Sequence, residues 1–300
     1  MTETLILQLI KLLLFAAIAI LVIVIFTHTR RKKINIIGTP KKFFTAFVIG
    51  FFTDMLDTWG IGSYATTTTF FKLTNFIDDG DDTKLPGTMN IGHAIAVLVE
   101  ALFFITAVRV EMTTLIPMTS AAVIGALTGT RLTKNWSAKL VQRVLGLLLI
   151  IAAIIMALRI AFNIGADTAT SVHGLHGILL FIGVIFNFIL GVLMTMGLGN
   201  YAPELVFFSL AGVNPLIALP VMMLDAAMIM FSAAQGFIKK DRVYWNGLLG
   251  MMIGGILGVV VAAKVITNID INLLKKAMVV IVIYTGIMLI RTSFIKASTK

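Results

Sequence analysis

Long apolar runs recur along this chain and constrain its fold more than any other feature. A transmembrane helix needs about 20 consecutive, mostly apolar residues. Such runs cover approximately residues 5–27, 87–107, 113–132, 139–160, 175–196, 216–236, 243–265 and 272–292. Only 13% of the 300 residues are charged, whereas a soluble domain carries about 25%. We therefore predict an all-α, polytopic membrane protein, with a lipid bilayer as one of its partners.

Two further stretches are apolar but interrupted by glycine. The first is residues 43–74, and the second continues 175–196 as far as residue 211. The interrupting residues are Gly60 and Gly62 in the first stretch and Gly197 and Gly199 in the second. A continuous helix over 43–74 would exceed the hydrocarbon core, which is about 30 Å thick. We therefore predict a helical hairpin in each stretch, with a pair of short spans as the alternative, and seven full spans besides.

The basic residues predict the orientation of the chain. Lys and Arg are enriched in cytoplasmic loops, and most of them fall in residues 28–42, 131–139, 239–242 and the C-terminal tail. If both hairpins return to their starting side, these segments share one side. The N-terminus is then outside and the C-terminus cytoplasmic. The net charge of +10 lies in loops between apolar runs, so it does not predict a nucleic-acid partner.

The sequence also repeats itself. Residues 59–65 read WGIGSYA and residues 196–202 read MGLGNYA. Each half then consists of a hairpin and three spans, and because three is odd, the second half is predicted to be inverted. The predicted organisation is an extra helix with a basic loop (1–42), repeat 1 (43–161) and repeat 2 (175–292). Inverted repeats with broken helices are typical of secondary transporters, which bind their solute where the breaks meet.

The two breaks supply the candidate substrate site. A half-helix that begins after each turn has free N–H groups and a positive dipole end, which favour an anion. The candidate substrate-binding residues are Thr58, Gly60, Gly62, Ser63, Tyr64, Thr66 and Thr67 in the first half and Gly197, Gly199, Asn200 and Tyr201 in the second. The alternative for Ser63 and Asn200 is that they only cap the half-helices.

Polar residues inside the apolar segments are candidates for coupling. A charge at the centre of a bilayer costs about 2.5–3.5 kcal/mol, so such residues are functional candidates. The candidates for carrying a proton or binding a coupling cation are Asp54, Asp57, Asn90, His93 and Asp225. Glu100 lies two helical turns from His93 on one face. Structural hydrogen bonds are the alternative role for these side chains.

A glycine-rich turn occurs in each half, as Gly60-Ile61-Gly62-Ser63 and Gly197-Leu198-Gly199-Asn200. Together with LPGTMNIGH at 85–93 and NFILG at 187–191, these turns resemble those of the sulfite exporter TauE/SafE family of membrane permeases. The resemblance covers about residues 43–292 and leaves the first helix as an addition. Many family members carry GxGGG at the first turn, where this chain has GIGSYA.

The resemblance implies a permease in the plasma membrane of a bacterium. Its substrate would be sulfite, an organosulfonate or a related small organic acid, moved by alternating access and coupled to a proton or cation gradient rather than to ATP. A homodimer is also possible as the oligomeric state.

Several function classes have no support in the sequence. There is no cysteine, and no HExxH, P-loop or GxSxG motif, so we expect no enzyme activity, no cofactor and no resident metal. Two alternatives to anion transport remain. One is a divalent metal transporter that uses Asp54, Asp57, His93, Asp225 and methionines, and the other is a membrane sensor or scaffold without transport.

Overall fold

The structure, a computed structural model, describes residues 3–78, 81–132, 137–162, 173–213, 215–266 and 271–294. These residues form eleven α-helices and contain no strand. The helices are α1 (Glu3–Arg31), α2 (Pro40–Thr58), α3 (Ser63–Leu73), α4 (Leu85–Ala107), α5 (Met112–Leu132), α6 (Ala138–Ala161), α7 (Gly177–Met194), α8 (Tyr201–Leu210), α9 (Ala218–Lys239), α10 (Leu248–Ile266) and α11 (Ile271–Phe294). The predicted all-α class is thus confirmed for the described part of the chain.

Six of these helices, α1, α4, α5, α6, α7 and α9, contain segments long and apolar enough to cross a membrane. The predicted spans 243–265 and 272–292 fall on α10 and α11, where shorter apolar segments are described, Leu248–Lys264 and Val279–Arg291. Three of the basic residues predicted to be cytoplasmic, Lys134, Lys296 and Lys300, lie outside the described residues.

Each glycine-broken stretch forms two helices joined by a tight turn. Gly60 and Gly62 both have φ of 85°, and Gly197 has φ of 84°, a backbone conformation that only glycine adopts without strain. The two turns are closed by matching backbone hydrogen bonds. Ile61 N–H donates to Leu56 O at 3.1 Å, and Leu198 N–H donates to Leu193 O at 3.4 Å. These bonds end α2 and α7 in the same way.

The second helix of each pair runs back along the first. Lys42, near the start of α2, donates a hydrogen bond to the carbonyl of Phe76, just beyond the end of α3. In the other pair, the Phe207 ring of α8 stacks on Phe186 of α7, with ring centroids 5.0 Å apart. Both broken stretches are therefore helical hairpins in the structure.

Glycines form the seams between the hairpins and the remaining helices. α2 packs along α10, and α7 packs along α5. A β-carbon at Gly250, Gly254 or Gly258 of α10 would overlap the backbone of α2, and one at Gly125 of α5 would overlap α7. Small residues let helix backbones approach closely in membranes. α4 and α9, which lie against each other, are the most buried spans.

Ion pairs identify the two ends of the helix bundle. At one end, here called the basic end, Lys32 pairs with Asp241 at 3.2 Å. At the opposite end, Arg109 lies 3.4 Å from Glu3, and His176 lies 3.3 Å from Glu111. The hairpin α2–α3 therefore enters the bundle from the basic end, whereas α7–α8 enters from the opposite end.

The Lys42 cluster, formed by Lys42, Phe76, Asp78 and Tyr244, holds the first hairpin at the basic end. Lys42 Nζ lies 2.9 Å from both Asp78 Oδ2 and the Tyr244 hydroxyl. Tyr244 also donates a hydrogen bond to Asp78 Oδ1. Hydrogen bonds from Tyr244 and Lys42 hold the pKa of the Asp78 carboxyl below its ordinary value. The cluster thus joins both ends of the first hairpin to the α9–α10 loop.

We expect Asp78→Asn to remove the acid-sensitive part of this contact. Because the folded-state pKa of Asp78 is lowered, its carboxylate stabilises the folded protein above its ordinary pKa of about 3.9, and this contribution is lost as the pH falls further. Half of the side chain is exposed, so the loss should stay below about 1 kcal/mol. Melting temperatures in detergent between about pH 3 and pH 6 measure it. Asp241→Asn is the matched surface control, and equal pH profiles for the two variants would contradict the prediction.

Candidate functional site

A cavity of about 60 Å³ lies between the two glycine turns. Both half-helices begin at it, because Gly62, Tyr64 and Ala65 line it from the first hairpin and Gly199 and Tyr201 from the second. The complete lining is Ile61, Gly62, Tyr64, Ala65, Thr68, Gln142, Gly197, Gly199, Tyr201, Ala202, Thr285 and Leu289. The two breaks in the sequence are therefore brought to one place in the fold.

The structure divides the predicted substrate-binding residues into two groups. Five of them line the cavity: Gly62, Tyr64, Gly197, Gly199 and Tyr201. The other six do not, namely Thr58, Gly60, Ser63, Thr66, Thr67 and Asn200. Thr58 and Thr66 donate their hydroxyl hydrogens to carbonyls of their own hairpin, Asp54 O for Thr58 and Ser63 O for Thr66. Gly60 lies beside side chains of α8 and α9 instead.

Asp57 occupies the start of α3 that was predicted to be open to an anion. Its Oδ1 accepts a hydrogen bond from Ser63 N–H at 2.5 Å. Asp57, reaching across the turn from α2, therefore takes the capping role that was considered for Ser63. The N-cap residue Gly62 contributes no side chain. One N–H of α3 is thus already bound, and a solute in the cavity would contact the turn beside it.

The second turn is stabilised differently. Asn200 Nδ2 donates to Glu204 Oε1 at 2.6 Å and to the carbonyl of Met222 at 2.9 Å. Asn200 therefore ties α8 to α9 and makes no side-chain cap of its own helix. Its Oδ1 and Glu204 Oε2 are buried without a hydrogen-bond partner among the described residues. Leaving a buried oxygen unpaired is costly. These two oxygens could each still accept a hydrogen bond from a donor.

His93 connects two elements of the first half. Its Nδ1 lies 2.8 Å from Asp54 Oδ1 on α2, and its Nε2 lies 2.8 Å from Thr67 Oγ1 on α3. All three side chains are completely buried. Asp54 Oδ2 has no hydrogen-bond partner among the described residues and lies against Gly255 of α10. The predicted coupling residues Asp54 and His93 are thus in direct contact.

The other predicted coupling residues lie in separate contacts. Asp225 accepts hydrogen bonds from Thr119 on α5 and Asn187 on α7. Asn90 is buried with its Oδ1 unpaired. Tyr201, at the cavity, donates to Glu100 Oε2 at 3.4 Å. Among the described residues, no three His, Cys, Asp or Glu side chains are grouped so that they could hold a metal ion.

Five carboxyl side chains are buried in the described residues: Asp54, Asp57, Glu100, Glu204 and Asp225. No lysine or arginine is buried in the same described part of the chain. Glu100 lies within electrostatic range of Asp54 and Asp57, and Glu204 within range of Asp225. Ionising all of these groups at once would be expensive in a membrane.

Three polar residues of the cavity were not predicted from the sequence, namely Thr68, Gln142 and Thr285. Gln142 of α6 and Thr285 of α11 reach it from outside the hairpins. Thr285 Oγ1 is buried and has no partner among the described residues. The available signal was a polar side chain within an otherwise apolar span.

No family model, no curated protein and no solved structure matches the chain.

Proposed function

We propose that this chain is a secondary transporter that moves a small anion across the plasma membrane of a bacterium. The observation that supports it is that both glycine turns and the starts of α3 and α8 line one cavity. The positive ends of half-helices suit an anionic group. The resemblance of the turns to the TauE/SafE permeases favours sulfite, an organosulfonate or a related organic acid as the substrate.

We further propose that the two halves form an inverted repeat. In support, α2 of the first half packs along α10 of the second half, and α7 of the second half packs along α5 of the first half. α4 lies against α9, and α6 lies against α11. The hairpins also enter from opposite ends. Rocking of one half against the other would then expose the cavity to each side of the membrane in turn.

The buried carboxyl groups are compatible with an anion only if positive charge accompanies it. Glu100 accepts a hydrogen bond from the cavity-lining Tyr201. Asp57 binds the N–H of Ser63, the residue between the cavity-lining Gly62 and Tyr64. An ionised carboxylate repels an anion in a medium of low dielectric constant. A proton or another cation that binds together with the substrate removes this repulsion, so we propose coupled transport.

Thr285→Val tests where the anion binds. Valine keeps the shape of threonine, but it removes the unpaired hydroxyl from the cavity wall. We expect the KM for anion uptake into proteoliposomes to rise about tenfold, because one hydrogen bond to a charged group is worth about 1.5 kcal/mol or more. Thr106→Val is the control, because Thr106 is exposed and bonds only to its own helix.

The uptake assay compares labelled sulfite, an alkyl sulfonate and Mn²⁺ with the wild-type protein. Saturable uptake of either anion supports the proposed function. Saturable uptake of Mn²⁺ alone would favour the metal transporter, and no uptake of any of the three would favour a sensor or scaffold. An unchanged KM in Thr285→Val would place the anion elsewhere, even if anion transport is observed.

A further inference from the structure

We infer that the coupling ion is a proton, that it binds at His93, and that Thr67 transmits its binding to the cavity-lining helix α3. The inference rests on the proposed anion transport and deepens it. The observation behind it is the buried chain Asp54–His93–Thr67, in which both imidazole nitrogens are engaged at 2.8 Å. This chain, here called the His93 relay, links α2, α4 and α3.

The His93 relay has two hydrogen-bonding states. With a neutral imidazole, Nδ1–H donates to the Asp54 carboxylate and Nε2 accepts from the Thr67 hydroxyl. When His93 is protonated, Nε2–H must donate to Thr67 Oγ1. The hydroxyl hydrogen of Thr67 then has to turn to another acceptor. The binding of one proton at His93 therefore reverses the direction of a hydrogen bond on α3.

Once His93 is protonated, the Thr67 hydroxyl competes for hydrogen-bond acceptors in the first turn of α3. A helical threonine finds its nearest acceptors in the carbonyls of the preceding turn. There, the Thr66 hydroxyl already donates to Ser63 O and the Thr68 hydroxyl to Tyr64 O, each at 2.8 Å. Since Tyr64 and Thr68 line the cavity, proton binding changes hydrogen bonds directly beside the proposed substrate.

Charge provides a second link between His93 and the cavity. The titratable groups that face the imidazole are Asp54 and Asp57 from α2 and Tyr64 from α3. Glu100 of α4 and Tyr201 of α8 lie within electrostatic range of the same two aspartates. From α10, the nearby residues are Gly255, which lies against Asp54, and Met251, which lies against Gly92, and neither is titratable. A proton on His93 adds positive charge among these carboxyl groups. It therefore favours an anion nearby, and by linkage the anion favours the proton equally.

The relay geometry favours a proton over a metal cation. Asp54 Oδ1 already faces a ring nitrogen, and the second ring nitrogen faces a threonine hydroxyl. Neither nitrogen is free for a cation. A proton needs no additional ligands, whereas Na⁺ would need several oxygen atoms around it.

The test measures anion uptake into proteoliposomes driven by a pH gradient or by a Na⁺ gradient, with internal pH recorded by a trapped dye. We expect the pH gradient alone to drive accumulation of the anion, with protons entering alongside it. Thr67→Val should lower this stimulation at least about fivefold, the lower end of ordinary coupling energies. His93→Gln should abolish it while anion–anion exchange continues. Thr69→Val is the matched control on the same helix and should leave the stimulation unchanged, because the Thr69 hydroxyl donates to Ala65 O and Thr69 does not line the cavity.

The outcomes separate the two proposals. If the wild-type protein accumulates the anion with a Na⁺ gradient alone, or if Thr67→Val and His93→Gln remain fully driven by the pH gradient, the His93 relay is not the coupling site although anion transport stands. If no anion is transported by the wild-type protein, the proposed function fails, and the inference fails with it. If His93→Gln does not fold, the wild-type protein and Thr67→Val still decide the question.

Discussion

Replacement of Gly199 by valine is expected to abolish anion transport without loss of the fold. Gly199 lines the cavity, and a β-carbon at this position would meet no atom within 4 Å. Its φ lies outside the left-handed region, so a larger residue is not strained there. A valine side chain would occupy much of a cavity of about 60 Å³. We expect substrate affinity to fall more than about a hundredfold, or about 2.7 kcal/mol.

The measurement pairs proteoliposome uptake with a melting temperature in detergent. Gly199→Ala should give an intermediate loss of uptake, because it fills less of the cavity. Gly236→Val is the control, since Gly236 also meets no atom within 4 Å but lies on α9 away from the cavity lining. Normal uptake by Gly199→Val would show that the solute does not pass through the cavity between the turns.

Replacement of Gly254 by alanine is expected to destabilise the protein by about 2–3 kcal/mol, as for other overpacked sites. A β-carbon there would overlap the backbone carbonyl of Phe47 on α2. A backbone atom cannot move aside as the end of a side chain can, so α2 and α10 would have to separate. The free energy of unfolding, measured by titration of the protein with a denaturing detergent in mixed micelles, tests this.

The control for Gly254→Ala is Gly236→Ala, which places the same methyl group where no atom lies within 4 Å. This variant should be as stable as the wild-type protein or slightly more stable, because alanine favours helix more than glycine does. Equal stability of the two variants would mean that the close packing of α2 on α10 contributes little to the fold.

Local features of this fold could be predicted from the sequence. The pairing of WGIGSYA with MGLGNYA predicted two equivalent turns, and the bonds from Ile61 to Leu56 and from Leu198 to Leu193 have the same spacing. Such turns depend on glycine at particular positions, which a sequence displays directly. The glycines and tyrosines of the turns were accordingly predicted as site residues, and five of these line the cavity.

Features that depend on helix rotation and long-range packing could not be predicted. Ser63 and Asn200 follow the two turns, but their side chains lie off the cavity, because the rotation of α3 and α8 is set by their neighbours. The contact of His93 with Thr67 and Asp54 joins three helices. Thr119, which donates a hydrogen bond to Asp225, lies on α5, and no motif in the sequence relates α5 to α9.

The packing of α2 on α10 also limits when the fold can be completed during synthesis. α2 finds its partner only when α10 has been made, and α10 begins at Leu248. Until then, Asp54 lacks the helix whose Gly255 covers its second oxygen. A nascent chain that stops before α10 therefore leaves a costly polar surface facing lipid or the insertion machinery.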